Sequence, residues 1–190
     1  MSNLLSSRFF RGKGHLWPIL LAGAVVLFFG CQAREAPLSP GAATFKQELK
    51  SCFDNLGVTL MEPVARKDVA GIKAALEKVE SPAAKLCRLC PFEIGVTDQS
   101  GETLAVYPVK GDGKGKNYSN YELVIKAISS KKIQQQRFFL QDGTELYLVC
   151  APLIREDKLI GLVAIAISSV DAEKRWGLKE KEFLAIDFNT

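Results

Sequence analysis

The sequence predicts an α+β fold, in which an antiparallel sheet of about five strands is led by a long helix and packed by further helices. Two observations carry this. Apolar residues recur at steps of three and four over positions 45–60, the signature of one face of an amphipathic helix. Short β-rich runs then gather in the second half, joined by tight turns and interrupted by a single helical stretch. Strands segregated in this way belong to antiparallel sheets and not to doubly wound parallel ones.

The long helix is read from Phe45, Leu49, Cys52, Phe53, Leu56 and Leu60, and Pro63 is expected to end or kink it. Val69, Ile72, Leu76 and Val79 mark a shorter helix that Ser81-Pro82 closes. A hairpin follows, with strands at 93–98 and 102–108 around the turn Gln99-Ser100-Gly101. Residues 110–117 form a glycine-rich loop holding Lys110, Lys114 and Lys116. Tyr121, Val124, Ile125 and Ile128 restore helical spacing. Three more strands are expected at 134–140, 145–154 and 159–168, linked by Asp142-Gly143 and by Arg155-Glu156-Asp157-Lys158. Residues 171–190 read as a polar helical tail with Trp176, Phe183 and Phe188 as docking residues. No internal repeat is seen, and residues 44–190 are expected to form a single domain.

The N-terminus predicts export. Arg8, Arg11 and Lys13 precede an unbroken apolar run over 16–30, short for a membrane span and of signal-peptide length. Gly30-Cys31 at its end resembles the lipobox of bacterial lipoproteins, which implies lipidation of Cys31 as the mature N-terminus. Phe29 departs from that pattern, which has a small residue there; the alternatives are an uncleaved anchor or cleavage elsewhere. Residues 1–31 are thus expected to be the targeting segment and 32–43, small, polar and proline-containing, a tether. Beyond the targeting segment stand 22 basic and 21 acidic residues, a net of +1. This near-neutral balance gives no electrostatic footprint for nucleic acid.

The one histidine, His15, lies in the targeting segment, so the remaining domain has no imidazole base or ligand. Cys52, Cys87, Cys90 and Cys150 remain, and outside the cytoplasm they can form disulfides in three pairings. Structural disulfides are the expected role. A four-cysteine metal site, a redox Cys87-x-x-Cys90 pair and a simply buried Cys150 are the alternatives. The Cys-x-x-Cys follows a helix and meets Pro91, which is the wrong context for thioredoxin-like chemistry.

Several segments together resemble the Cache branch of the PAS-like sensor domains, extracytoplasmic ligand-binding modules of bacteria. They are Gly95-Val96-Thr97-Asp98 with Gly101, Tyr107-Pro108, Gly115-Lys116-Asn117-Tyr118, Leu146-Tyr147-Leu148-Val149 with Ala151-Pro152-Leu153, and Gly161-Leu162-Val163-Ala164-Ile165. The long leading helix matches the single-Cache arrangement. The resemblance implies a small-molecule pocket between the sheet and the middle helix with its preceding loop. Within it, Lys116, Tyr118, Tyr121, Arg137 and Tyr147 are the expected ligand contacts. Arg137 is the sharpest of these, since a guanidinium grips a carboxylate with two parallel hydrogen bonds. Strand alternation sets Arg137 and Phe139 on one face, Phe138 and Leu140 on the other. The glycine-rich loop reads either as an anion cradle or as a solvated loop.

The expectation is therefore a membrane-anchored, non-enzymatic lipoprotein on the periplasmic side. It binds a small molecule, a carboxylate by first inference, without cofactor or metal. Family members carry a cytoplasmic output module, and none follows in this sequence, so a membrane transducer or envelope protein is the expected partner. An accessory lipoprotein that binds a protein partner is the alternative, followed by a cysteine-based redox or metal protein.

Overall fold

The computed structural model describes residues 37–78, 93–108 and 116–190. The targeting segment with Cys31, residues 32–36 of the expected tether, Val79, Ser81-Pro82, Cys87, Cys90 and the glycines of the 110–117 loop lie outside the described residues.

Helix α1 (Pro40–Ala65) starts inside the stretch read as tether. Ser39 caps it, its side chain accepting from the Ala42 N–H at 3.2 Å, and Pro40 takes the first turn, where no intrahelical N–H is needed. Pro63 does not stop the helix, which runs two residues further to Ala65. The predicted stripe from Phe45 to Leu60 is buried throughout. Helix α2 (Val69–Glu77) is capped by Asp68, which accepts from Gly71 N at 2.9 Å.

Strands β1 (Glu93–Asp98) and β2 (Thr103–Tyr107) form the expected hairpin. Helix α3 (Glu122–Ser130) precedes β3 (Gln134–Phe139), β4 (Glu145–Arg155) and β5 (Lys158–Ser168). The sheet is fully antiparallel in the order β2-β1-β5-β4-β3, so the first and last strands in sequence meet at its centre.

The two faces of this sheet are unlike. Val149, Ala151 and Leu153 of β4 and Val163, Ile165 and Ile167 of β5 point to one side, into a core closed by α1 and α2. The chain end joins that core. Helices α4 (Ser169–Trp176) and α5 (Glu180–Ala185) bring Leu178, Phe183, Ile186 and Phe188 to near-complete burial. Phe45 of α1 meets Trp176, Phe183 and Phe188 edge-on at centroid distances of 5.1, 6.4 and 6.3 Å. Residues 171–190 are thus two helices of the main core, and their polar character belongs to their outer faces only. On the opposite side lies a smaller cluster, in which Leu123, Val124 and Ala127 of α3 pack on Cys150 and Leu162. Tyr121 and Ile125, which the helical spacing had put on the inner stripe, are about half exposed.

Candidate functional site

Strand register gives the α3-side face of the sheet a definite shape. One row across it runs Glu93, Ala166, Leu148, Gln136, and the next runs Gly95, Ala164, Cys150, Gln134. Cys150 is buried beneath α3, whereas the other residues of both rows are half-buried. The floor between β1 and β5 is made of Gly95, Ala164 and Ala166, all small. A Cβ built on Gly95 meets no atom of the described residues within 4 Å, so among them the space directly above Gly95 is open. Small residues here leave a trough where larger ones would fill the sheet surface.

The trough is walled by aromatic rings that the β1–β2 turn positions. Gly101 adopts φ +86°, and a Cβ there would stand 2.9 Å from the Ser119 backbone, so glycine serves both the turn and the close approach. Residues 116–118 run back along this turn: Thr103 N and Oγ1 donate to the Lys116 carbonyl at 3.3 and 2.6 Å, and Tyr118 N donates to Gly101 O at 2.9 Å. Tyr118 and Tyr121 then meet edge-on at 5.2 Å, and Tyr121 lies 6.5 Å from Phe138. Burial, followed by the neighbouring Tyr121 and the charge of Glu93, pushes the Tyr118 phenol up from its ordinary range. That phenol therefore stays protonated at neutral pH, and it lies within the field of Glu93.

The five expected contacts do not converge. Tyr118 and Tyr121 are on the α3 side, with Lys116 exposed and held by its backbone. Arg137 and Tyr147 are directly opposed in the β3–β4 ladder and face the main core. Tyr147 is buried and stacked on Phe183 at 4.3 Å. Arg137 pairs with Glu180 of α5 at 2.7 Å and with Glu145 at 3.5 Å, and lies over the Phe139 ring. It ties the edge strand β3 to α5, and its guanidinium is committed to protein carboxylates. Alternation correctly separated Arg137 from Phe138, and Phe138 is the one that belongs to the α3 side.

The cysteines divide in the same way. Cys52 is buried on the inner stripe of α1, on the main-core side. Cys150 is a free thiol on the α3 side, where burial pushes it up to about 12, so it is an inert apolar filler and not a disulfide partner. Among the described residues no group of three or more His, Cys, Asp or Glu side chains is placed to hold a metal ion. No helix among them is long and apolar enough to cross a membrane.

Glu93 and Gly95 were not among the expected contacts because only the register sets them beside Ala166 and Ala164, and Phe138, paired with Leu146 on the edge strand, reaches this side only through Tyr121. The period-two alternation gave their faces, and a pairing of β1 beside β5 would have completed the row.

No protein-family model matches the chain, and no curated protein sequence matches it. Solved structures do. The extracellular domain of histidine kinase vpHK1S-Z8 superposes with a TM-score of 0.57 at 15% identity, over 74% of this chain and 57% of that one. The ligand-binding domain of the Pseudomonas fluorescens chemoreceptor CtaA, in complex with L-isoleucine, gives 0.53 at 13% identity over 71% and 55%. That of the Pseudomonas aeruginosa amino acid chemoreceptor PctB, in complex with L-Arg, gives 0.53 at 14% over 73% and 56%. This chain spans a little over half the length of each. With its central β1–β5 pair, 2-1-5-4-3 strand order and long leading helix, the chain has the Cache, PAS-like fold of extracellular sensor domains.

Proposed function

We propose that this protein is an extracytoplasmic sensory domain that binds a small organic molecule in the trough between the sheet and α3, anchored to the membrane through its N-terminal segment. The observation that carries the reading is a face that the described residues cover only in part: small residues floor it, aromatic rings edge it, and none of the described atoms stands over Gly95. A fully packed face would have no room for a ligand. The likeness in fold to domains whose structures hold L-isoleucine and L-Arg supports the same reading, as do the charged and apolar N-terminal segments and the Gly30-Cys31 pair for anchoring. Bound ligand would bridge β1 and the start of α3, and a membrane partner would receive the change.

A thermal-shift screen of the purified full chain against amino acids, amines and organic acids tests this. A true ligand raises the melting temperature in a concentration-dependent manner, because it binds only the folded state. Gly95→Val is the site control. Valine suits a strand, so the variant should melt no lower than the parent while its side chain occupies the trough and removes the ligand-induced shift. Failure of every compound, or an undiminished shift in Gly95→Val, contradicts the reading.

A further inference from the structure

The two edges of the sheet are finished differently. β2 is packed by α2 and met by residues 116 and 117, through the Thr103–Lys116 bonds and a bridge of Glu102 with Asn117. Among the described residues, the edge of β3 is covered at its start only. There the Asn189 side chain acts as a one-residue strand: its Oδ1 accepts from Ile133 N at 2.9 Å and its Nδ2 donates to Ile133 O at 3.1 Å. Ile133 thus turns its peptide groups away from β4, whereas Leu140 turns its own into the loop that leads to β4. By alternation the peptide groups of Gln135, Arg137 and Phe139 point outward, where no described strand pairs with them. Such an edge is a template for another strand, and natural edges are blunted by lysine, proline or a bulge. β3 has none of the three, and its register with β4 is unbroken.

Exposed apolar side chains gather at the same edge. Among the described residues eight large ones are exposed; Tyr121, Phe139, Leu140 and Leu184 surround β3, and the other four are scattered over α1, α2, α3 and α4. Leu184 lies level with Gln135, whose Nε2 donates to the Phe183, Leu184 and Ile186 carbonyls, and Tyr121 lies 6.5 Å from Phe138. We propose that two copies of this chain join through β3, antiparallel about a two-fold axis at Phe138, so that their two five-stranded sheets become one.

Charge and the Asn189 cap choose this register. An axis at Gln136 would run Phe139 onto the capped Ile133. An axis at Arg137 would oppose two guanidiniums, and like charges directly opposite destabilise a ladder. An axis at Phe138 sets Arg137 against Phe139 of the second copy, a cation beside a ring, much as Arg137 already lies 5.0 Å from its own Phe139. It opposes the two Phe138 rings on the α3 side, with Tyr121 of each copy beside them, and on the other side brings Phe139 toward Leu184. Arg137 is the one charge of residues 134–140 and is paired with Glu180 and Glu145. The remaining charges beside Leu184 on α5, Lys181 and Glu182, are of both signs. An edge so balanced neither repels its own copy nor selects an ionic partner, and the strand that matches it is itself, turned about the axis.

Oxidative cross-linking of the full chain in detergent tests the inference. In this register the two Phe138 residues form a non-hydrogen-bonded pair with Cα atoms about 4.5 Å apart, close enough for a disulfide. Phe138→Cys should therefore give a disulfide-linked dimer that the parent, with its own five cysteines, does not give under the same oxidant. Val58→Cys, on the exposed side of α1, is the control for a dimer through the leading helix and should give none. Light scattering should find a concentration-dependent dimer, which Leu184→Lys weakens at least about tenfold. Leu184 is exposed in the single chain, so this variant should melt as the parent does at low concentration. A parent that is monomeric at every concentration, a Phe138→Cys yield no higher than the parent's, stronger cross-linking at Val58→Cys, or a dimer undiminished in Leu184→Lys overturns the inference. None of these outcomes bears on ligand binding in the trough.

Discussion

Asp98 closes β1 with its side chain buried and its carboxylate fully engaged. Lys67 Nζ lies 2.7 Å from Oδ2, and Oδ1 accepts from Ser100 N, Ser100 Oγ and Glu102 N at 2.8, 2.6 and 3.1 Å. Burial alone would push this group up, but the bonds from Lys67, Ser100 and Glu102 together outweigh it and hold it at about 2. A carboxylate depressed in the folded state contributes stability above its unfolded value of 3.8, which is lost as pH falls toward 2. The contribution is about 2 kcal/mol. Urea melts at pH 6 and pH 2.5 should therefore show a loss that is smaller in Asp98→Asn, and an equal loss in both proteins would contradict the assignment. Arg137 gives a second residue-scale test. Glu145 Oε1 is buried with no hydrogen-bond partner and relies on the Arg137 charge. Arg137→Ala should cost about 1–2 kcal/mol in urea unfolding and leave ligand affinity unchanged. A lost ligand with intact stability would return Arg137 to the site. Residue types pointed to an arginine and tyrosines as binding groups, but which face each side chain occupies depends on tertiary pairing, and only Tyr118 and Tyr121 are on the trough.

At the scale of elements, local chemistry was legible wherever it was self-contained. The Asp98-x-x-Gly101 turn, the Asp142-Gly143 turn and the stripe of α1 all stand where their patterns put them. Boundaries moved where a cap was read as loop, as at Ser39-Pro40, where an N-cap and a first-turn proline begin α1 within the expected tether. The C-terminal helices were harder to read, since α5 is only six residues long and shows its apolar side at scattered positions. Their worth is in tertiary contact. Phe183 packs on both Phe45 and Tyr147, so Phe183→Ala should destabilise by about 3–5 kcal/mol, far more than a tail would allow. A loss below about 1 kcal/mol in denaturant unfolding would show that α5 is not integral to the core.

At the scale of the domain, the described residues pack one face of the sheet completely and the other only in part. The main core joins α1, α2, α4 and α5 to the sheet, while α3 covers a smaller area on the other side. The α+β class and the five strands followed from segregated short runs and tight turns. The strand order did not, because placing β1 beside β5 is a long-range choice that no local pattern encodes. That choice sets Gly95 beside Ala164 and Glu93 beside Ala166, and so creates the trough. Amide chemical-shift mapping with a compound that raises the melting temperature tests this central claim most directly. The account predicts perturbations concentrated at Gly95, Ala164, Ala166, Tyr118 and Tyr121, and perturbations confined to Arg137, Tyr147 and α5 would contradict it.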